Sequence, residues 1–318
     1  MNAQISDVLN ISANGSPRSA AETTSALKLQ IAEAMNVRAG ELSEITAMKK
    51  GMTNCSFSFL CRGEKFIIRI PGAGTDHLID RAQEAAAYRA IDGKGICDDI
   101  VYFDPESGCK ITRFLEGARV CDPLCEADTT RCMQKLRAFH DLALTVPHTF
   151  DLFGKIAFYE SLRGGRASVY PDYAETKEQV FGLRAYIDAQ PKRCILAHID
   201  AVADNFLFVP DSGRGEDIRL IDWEYAGMQD PHVDIAMFCL YSMYDRVHID
   251  RLIDLYFTEG CAPSVRLKIY CYIAAGGLLW SNWCEYKKSL GVDFGDYALY
   301  QYHCAKTFAR IVNSRLGT

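Results

Sequence analysis

The chain has 318 residues, with 35 Lys and Arg against 41 Asp and Glu, so its formal net charge is −6. At roughly 150 residues per domain this length predicts two domains or lobes. A hydrophobic fraction of 49% with 24% charged residues is typical of a globular enzyme. A mildly acidic chain without a run of Lys and Arg lacks the basic patch that replaces counterions along phosphates, which excludes a nucleic-acid partner.

The thirteen cysteines are scattered along the chain and contain no C-x-x-C pair. This spacing predicts reduced, buried thiols rather than disulfides or a zinc site. The N-terminus lacks the basic start and apolar core of a signal peptide. The longest mostly apolar stretch, from Ile269 to Trp280, is shorter than the roughly 20 residues that a membrane-spanning helix needs. We therefore expect a cytoplasmic protein without a membrane span.

The first third of the chain alternates between helical and strand patterns. A Ser/Ala/Asn-rich arm over 1–25 is expected to be partly disordered, and Leu27, Ile31 and Met35 share one face of a short predicted helix. Two Phe- and Ile-rich strands joined by a hairpin turn follow, then an Ala-rich helix and two further strands. These elements are predicted over 56–61, 65–70, 78–91, 99–103 and 110–114. With a further strand expected before the loop at Gly51-Met-Thr-Asn54, the predicted order in this lobe, 26–117, is β-β-β-α-β-β.

Beyond residue 117 the pattern becomes mainly helical, so we predict a second lobe over 118–318. Short strands are predicted within it over 195–197, 206–209 and 218–221. If the last two form a hairpin, Asn205 and Asp222 lie side by side at one end, where two oxygen ligands converge. The fold class predicted for the whole chain is α+β, with an antiparallel sheet in the first lobe.

One motif in the second lobe is specific. The segment His198-Ile-Asp200-Ala-Val-Ala-Asp-Asn205, followed by Asp222-Trp-Glu224, has the form H-x-D-x-x-x-x-N with a downstream D-x-E. This pattern resembles the catalytic and metal-binding segments of the aminoglycoside phosphotransferase and choline kinase superfamily, relatives of protein kinases. The run over 221–236 is similar to the choline/ethanolamine kinase branch, and Gly51-Met-Thr-Asn54 and Ile68-Arg-Ile-Pro-Gly72 point the same way. The resemblance extends from about residue 51 to residue 302 and implies a two-lobed, protein kinase-like fold.

The motif residues suit phosphoryl transfer from ATP. This reaction needs in-line positioning, Mg²⁺ to neutralise phosphate charge, and a group that accepts or orients the proton of the nucleophile. Asp200 is the expected proton acceptor. Asn205 and Asp222 are the expected Mg²⁺ ligands, because this ion prefers hard oxygen atoms.

The neighbouring polar residues are assigned supporting parts. His198 is expected to be structural, since this mechanism needs no histidine base. Asp234 is expected to cap the next helix and to tie back the catalytic loop. Asp204 is expected to be an exposed loop carboxylate. The role of Glu224 stays open between a contact to a second metal or the substrate and a salt-bridged loop residue.

The nucleotide side is predicted in the first lobe. The backbone around Thr53 and Asn54 is expected to cradle phosphate. Arg69 is the only basic residue in an apolar strand, and the resemblance implies that it replaces the kinase lysine at the α- and β-phosphates. Glu84 is its expected partner, with an exposed helix carboxylate as the alternative. The stretch 112–117, which includes Glu116, is similar to the family's adenine-binding hinge.

The acceptor side is predicted near the C-terminus. Trp280 and Trp283 stand one helical turn apart, and Tyr297 follows closely. In choline kinases a W-x-x-W helix and nearby aromatic residues form the quaternary-ammonium pocket, and ring faces attract such a cation. Tyr241 is a further candidate wall. The alternative is that this aromatic stripe is ordinary core.

The sequence therefore predicts an enzyme that transfers the γ-phosphoryl group of ATP to the hydroxyl of choline, with Mg²⁺ as cofactor. Ethanolamine and aminoglycosides are the alternative acceptors. The alternative that is not an enzyme is an inactive pseudokinase, which binds nucleotide or choline without turnover. The oligomeric state is not predicted.

Overall fold

The structure is a computed structural model that describes residues 20–48, 54–72, 78–211, 213 and 215–317. Most of the arm over 1–25 and the loop residue Thr53 lie outside the described residues. The chain divides into two compact units. The first consists of the residues up to Ala118 together with Val209–Gly215, and the second of Arg119–Phe208 and Glu216–Thr318.

The first unit is built on a five-stranded antiparallel sheet with the strand order β1-β2-β3-β5-β4. Its elements are α1 (Ala20–Met35), β1 (Leu42–Ala47), β2 (Asn54–Cys61), β3 (Glu64–Pro71), α2 (Arg81–Ile91), β4 (Ile100–Phe103) and β5 (Lys110–Arg113). The turn between β2 and β3 uses Arg62 and Gly63, both with positive φ, as a tight hairpin requires. Phe57, Phe59 and Ile68 fill the core beneath the sheet. The predicted β-β-β-α-β-β order is confirmed.

The second unit is mainly helical. Its helices are α3 (Glu126–Asp141), α4 (Leu152–Ser161), α5 (Tyr173–Ala189), α6 (His232–Tyr241), α7 (Arg246–Tyr256), α8 (Pro263–Ser289) and α9 (Asp296–Leu316). Helix α8 is buried along most of its length, where it packs against α4, α5, α6 and α9. Within the described part of the chain, no helix is both long and apolar enough to cross a bilayer.

Short strands carry the motif segments. They are β6 (Arg119–Val120), β7 (Ile195–Ala197), β8 (Phe206–Asp211), β9 (Gly215–Leu220) and β10 (Gly227–Gln229). Strands β8 and β9 are neighbours in one small sheet, and β7 pairs with β10 in another. The backbone N–H of Ile221 donates to the carbonyl of Asn205 at 2.9 Å, which closes the hairpin end. Asn205 and Asp222 are therefore close together, as the hairpin argument requires.

The cysteines have the expected character. All thirteen lie in the described ranges and all are free thiols, most of them buried.

Candidate active site

The loop after β7 is held in a strained conformation by one carboxylate. Ile199 has a φ of +69°, a region that β-branched residues rarely occupy. The Asp234 carboxylate accepts the backbone N–H of His198 at 2.9 Å and that of Ile199 at 2.6 Å. Asp234 is completely buried, so these bonds are shielded from water. The clamp fixes the backbone that presents the next side chain, Asp200.

The expectation that Asp234 caps its own helix is wrong. Helix α6 begins at His232, so that Asp234 lies inside the first turn, and its oxygen atoms face the loop instead. The nearby carboxylate that accepts the N–H of His232, at 3.1 Å, belongs to Asp230. Tying back the loop is therefore the contact that Asp234 makes.

A histidine that the sequence analysis missed completes this clamp. The Nε2 atom of His140, on α3, lies 2.9 Å from the Asp234 carboxylate, and its Nδ1 atom lies 2.8 Å from the Tyr256 hydroxyl. Because the carboxylate can only accept, Nε2 carries the ring proton, and this N–H donates a hydrogen bond to Asp234. Local spacing gives no signal for this contact, since 94 residues separate the two partners.

Asp200 and Asn205 contact each other directly. The Asn205 side-chain nitrogen donates to the Asp200 carbonyl at 2.8 Å and to its carboxylate at 3.0 Å. The Asn205 amide oxygen is therefore the atom left to bind a cation. Burial, followed by the negative charges of Asp222 and Glu224, raises the pKa of Asp200 to about 8. Three carboxyl groups thus lie close enough to repel one another, which is an arrangement that a cation relieves.

The segment from Asp222 to Glu224 is anchored by the tryptophan between them. Trp223 is fully buried and donates its ring N–H to the carbonyl of Leu220 at 2.7 Å. Its ring meets the edge of His198 with centroids 4.5 Å apart. Asp222 has a φ of +66°, so the chain turns sharply directly after Ile221, whose backbone N–H bonds to the carbonyl of Asn205.

His198 is completely buried and contacts the backbone of a neighbouring segment. Its Nε2 atom lies 3.0 Å from the carbonyl of Ile221, which is the residue before Asp222. Complete burial lowers the pKa of His198 to about 4, so the ring is neutral and Nε2 donates this bond. The ring therefore connects the loop that carries Asp200 to the segment that carries Asp222.

The oxygen atoms of Asn205 and Asp222 suit Mg²⁺. The candidate ligand atoms are an amide oxygen on Asn205 and a carboxylate on Asp222, hard oxygen atoms of the kind that Mg²⁺ takes from proteins. Trp223 and the hairpin fix both residues before any ion binds. The raised pKa of Asp200, caused by burial and then by Asp222 and Glu224, indicates an excess of negative charge at the same place.

In the first unit, Arg69 and Glu84 are brought together. The Arg69 guanidinium bonds to one oxygen of Glu84, and it also reaches the carbonyl of Gly108 at 3.4 Å. The second Glu84 oxygen accepts from Arg81 at 2.7 Å. Glu84 is completely buried, which excludes the alternative of an exposed helix carboxylate. The sequence analysis missed Arg81, although its i,i+3 spacing to Glu84 was a readable signal.

The other nucleotide-side candidates are placed separately. Asn54 is buried at the start of β2, where it pairs with Pro71. The Glu116 side chain is exposed and lies 4.0 Å from the Lys65 ammonium. Thr53 is outside the described residues. Adenine binding by the backbone over 112–117 stays a prediction.

Six aromatic rings of the second unit form a continuous arc of contacts. Neighbouring ring centroids are 4.9 to 6.4 Å apart in the order Tyr225, Trp280, Trp283, Phe294, Tyr297 and Tyr241. Burial is the main cause that raises the pKa of Tyr225 and of Tyr241, and the charge of Asp200 adds to both shifts. Both ends of the arc are therefore within electrostatic range of Asp200.

The two tryptophans differ within this arc. Trp280 donates its ring N–H to the sulfur of Met237 at 3.1 Å and meets Tyr225 edge to face. Trp283 packs against Phe294, and the Lys287 ammonium lies 5.5 Å from its ring centroid. Trp280 is thus the tryptophan that contacts Tyr225, the residue directly after the D-x-E motif. The sequence analysis missed Tyr225 as a site residue, although it directly follows the D-x-E motif.

Comparisons with known proteins agree with this geometry. A family model described as choline/ethanolamine kinase matches residues 45–250. Protein LicA of Haemophilus influenzae is 30% identical over 268 residues, which are 78% of this chain and 75% of that protein. The crystal structure of choline kinase LicA from Streptococcus pneumoniae superimposes with a TM-score of 0.77 at 26% identity, covering 91% of this chain and 99% of that one. A structure of LicA in complex with AMP gives a TM-score of 0.75 at 26% identity, covering 91% of this chain and 98% of that one.

The predicted kinase-like α+β fold is confirmed by these structures. The chain therefore belongs to the choline/ethanolamine kinase family, and it is a small-molecule kinase that transfers a phosphoryl group to an alcohol.

Proposed function

We propose that the protein uses ATP and Mg²⁺ to phosphorylate the hydroxyl of choline, giving phosphocholine and ADP. The observation that carries the choice of acceptor is the aromatic arc, whose two ends reach the motif segments: Tyr225 directly follows Glu224, and Tyr241 donates a hydrogen bond to Asp204 at 2.6 Å. The proposal requires that an acceptor whose cation contacts the arc places its hydroxyl beside the Asp200 carboxylate.

The arc matches the chemistry of a quaternary ammonium group. The trimethylammonium group has no N–H to donate, so it needs no hydrogen-bond acceptor. A ring face attracts such a cation by roughly 0.5–2 kcal/mol, and several rings add their contributions without fixing one orientation. Aromatic walls therefore suit choline better than they suit an amine that has N–H groups to satisfy.

The residues beside the arc perform the transfer. Asp200 accepts the proton of the choline hydroxyl as the oxygen attacks the γ-phosphorus. Burial is the main cause that raises the pKa of Asp200, to about 8, and it strengthens this carboxylate as a base. Asn205 and Asp222 would hold Mg²⁺, and the bound ion would neutralise phosphate charge. Asp234 and His140 keep the loop in place.

Ethanolamine is the second candidate because carboxylates accompany the arc at both ends. Glu224 precedes Tyr225, and Asp204 accepts a hydrogen bond from Tyr241 at 2.6 Å. A primary ammonium group needs acceptors of this kind. We favour choline over ethanolamine as the acceptor, since six rings form the arc, whereas two carboxylates accompany it.

A screen of ADP release tests the proposal. The purified protein is given MgATP with choline, with ethanolamine, with an aminoglycoside, or with no acceptor. We expect choline to give the highest kcat/KM, and we expect chelation of Mg²⁺ to abolish the release. Highest activity with an aminoglycoside, or ADP release that no acceptor stimulates, contradicts the proposal.

A further inference from the structure

Asp204 makes a contact that neither the motif nor the phosphoryl-transfer chemistry requires. It lies in the short 3-10 turn Ala203–Asn205, directly before the proposed metal ligand Asn205. Its carboxylate is exposed, and it accepts a hydrogen bond from the hydroxyl of Tyr241 at 2.6 Å. Tyr241 is the last residue of α6 and one end of the aromatic arc. The bond thus joins the turn that carries Asn205 to the wall of the acceptor site.

The bond has two physical consequences for the ring. A hydrogen bond to a carboxylate is short and about twice as strong as a neutral one, so it holds the ring in one orientation. That orientation sets Tyr241 at 67° to the Tyr297 ring, with centroids 6.2 Å apart. Donation to an anion also increases the electron density of the phenol ring, because hydrogen-bonded groups polarise one another. A ring with a more negative face attracts a cation more strongly.

The Tyr241 hydroxyl keeps its proton under working conditions. Burial, followed by the hydrogen bond to Asp204 and the negative charge there, raises the pKa of Tyr241 well above its usual value. The phenol therefore stays a donor, and the ring stays neutral.

We propose that Asp204 is a positioning residue for acceptor recognition, which holds and polarises the Tyr241 ring against the ammonium group of the acceptor. This inference rests on the proposed function, because it requires the arc to bind a cation. Asp204 acts through Tyr241 and takes no part in proton transfer. Loss of the Asp204 carboxylate therefore raises the KM for a charged acceptor, and it changes neither the KM for ATP nor the rate of the chemical step.

A double-mutant cycle tests the inference. The variants are Asp204→Ala, Asp204→Asn, Tyr241→Phe and the double variant Asp204→Ala with Tyr241→Phe. Both positions are at least partly exposed, so these variants are expected to fold. Glu259→Gln, which removes an exposed carboxylate from the turn after α7, is the matched control for charge. Each protein is assayed with choline and with its carbon analogue, an alcohol in which a tert-butyl group replaces the trimethylammonium group.

We expect Asp204→Ala and Tyr241→Phe each to raise the KM for choline by about 10-fold, since they remove a charge-assisted hydrogen bond and weaken a cation–π contact. The KM values for ATP and for the carbon analogue stay at the wild-type level. The double variant is no worse than either single variant, because both changes break the same bond. Asp204→Asn raises the KM for choline less than Asp204→Ala does, since its amide oxygen still accepts a hydrogen bond from the Tyr241 hydroxyl.

Three results overturn the inference while leaving the proposed function intact. They are a wild-type KM for choline in the single variants, equal increases for choline and the carbon analogue, and additive effects in the double variant. A fourth result, a rise of the KM for choline in Glu259→Gln as large as in the Asp204 variants, overturns it too. If the wild-type enzyme itself does not prefer choline to the carbon analogue, the proposed function fails and the inference fails with it.

Discussion

Replacement of Asp234 by Asn tests whether this residue positions the loop that carries Asp200 or only stabilises the second unit. The Asp234 carboxylate accepts three bonds, from the N–H groups of His198 and Ile199 and from the His140 ring. In Asp234→Asn one oxygen becomes an NH₂ group, which faces a buried N–H and leaves it unpaired. An unpaired buried donor costs about 1–3 kcal/mol, and the remaining bonds lose their charge assistance.

We therefore expect Asp234→Asn to lose about 4 kcal/mol of unfolding free energy, which lowers Tm by roughly 10 °C. Turnover should fall further than stability alone explains. Ile199 at a φ of +69° relaxes once its N–H is released, and Asp200 moves with it. A displacement of about 1 Å at a reacting group costs roughly 100-fold in rate.

Asp230→Asn is the matched control, assayed by thermal melting and by kcat at temperatures where each protein is folded. Asp230 is also buried, and it bonds to the Lys268 ammonium at 2.6 Å, the Tyr272 hydroxyl at 3.1 Å and the N–H of His232 at 3.1 Å. Its loss should lower Tm comparably and leave kcat near the wild-type value. Equal losses of kcat in the two variants, or an unchanged Tm in Asp234→Asn, would refute the reasoning.

Three further outcomes follow from the site. Asp200→Asn should lower kcat by about 100-fold or more while MgATP still binds. Asp222→Ala should weaken the binding of MgATP itself. Equal MgATP affinities of the two variants in titration calorimetry would contradict these roles. Arg69→Lys should lower kcat/KM for ATP by about 10-fold, because an ammonium group cannot reproduce the planar guanidinium fork; a wild-type value refutes this. Burial lowers the pKa of His198 and His232 to about 4, below the ordinary value of 6.5, so the unfolded chain takes up these protons first. Unfolding free energy should therefore fall between pH 6.5 and 4 by about 1.4 kcal/mol per pH unit for each histidine, and the fall should be shallower in His232→Gln; equal slopes in denaturant titrations would contradict it.

Local patterns predicted the elements that have a clear apolar period or a turn signal. The hairpin around Gly63 and the strand 195–197 are examples. Helix α1 instead begins at Ala20, seven residues before Leu27, because its first turns are polar and carry no apolar period. Strand β9 begins at Gly215, before the strand predicted over 218–221, since ladder hydrogen bonds need no apolar side chains.

The site was predictable where a hairpin or a motif fixes the distance between residues. Asn205 and Asp222 come together because two paired strands force them to. The contacts that position the site join distant parts of the chain, as between His140 and Asp234 or between Asp204 and Tyr241. Such pairs depend on how helices pack, and no local spacing encodes that packing.

The most direct test of the account measures the KM for choline, the KM for ATP and Tm on Trp280→Ala. Trp280 joins the arc to the catalytic segment through Tyr225, with ring centroids 5.7 Å apart. If the arc binds the trimethylammonium group, the KM for choline should rise by about 10-fold or more while the KM for ATP stays unchanged. A lower Tm with both KM values at the wild-type level would mean that Trp280 only packs the core, and it would contradict the assignment of the arc to choline.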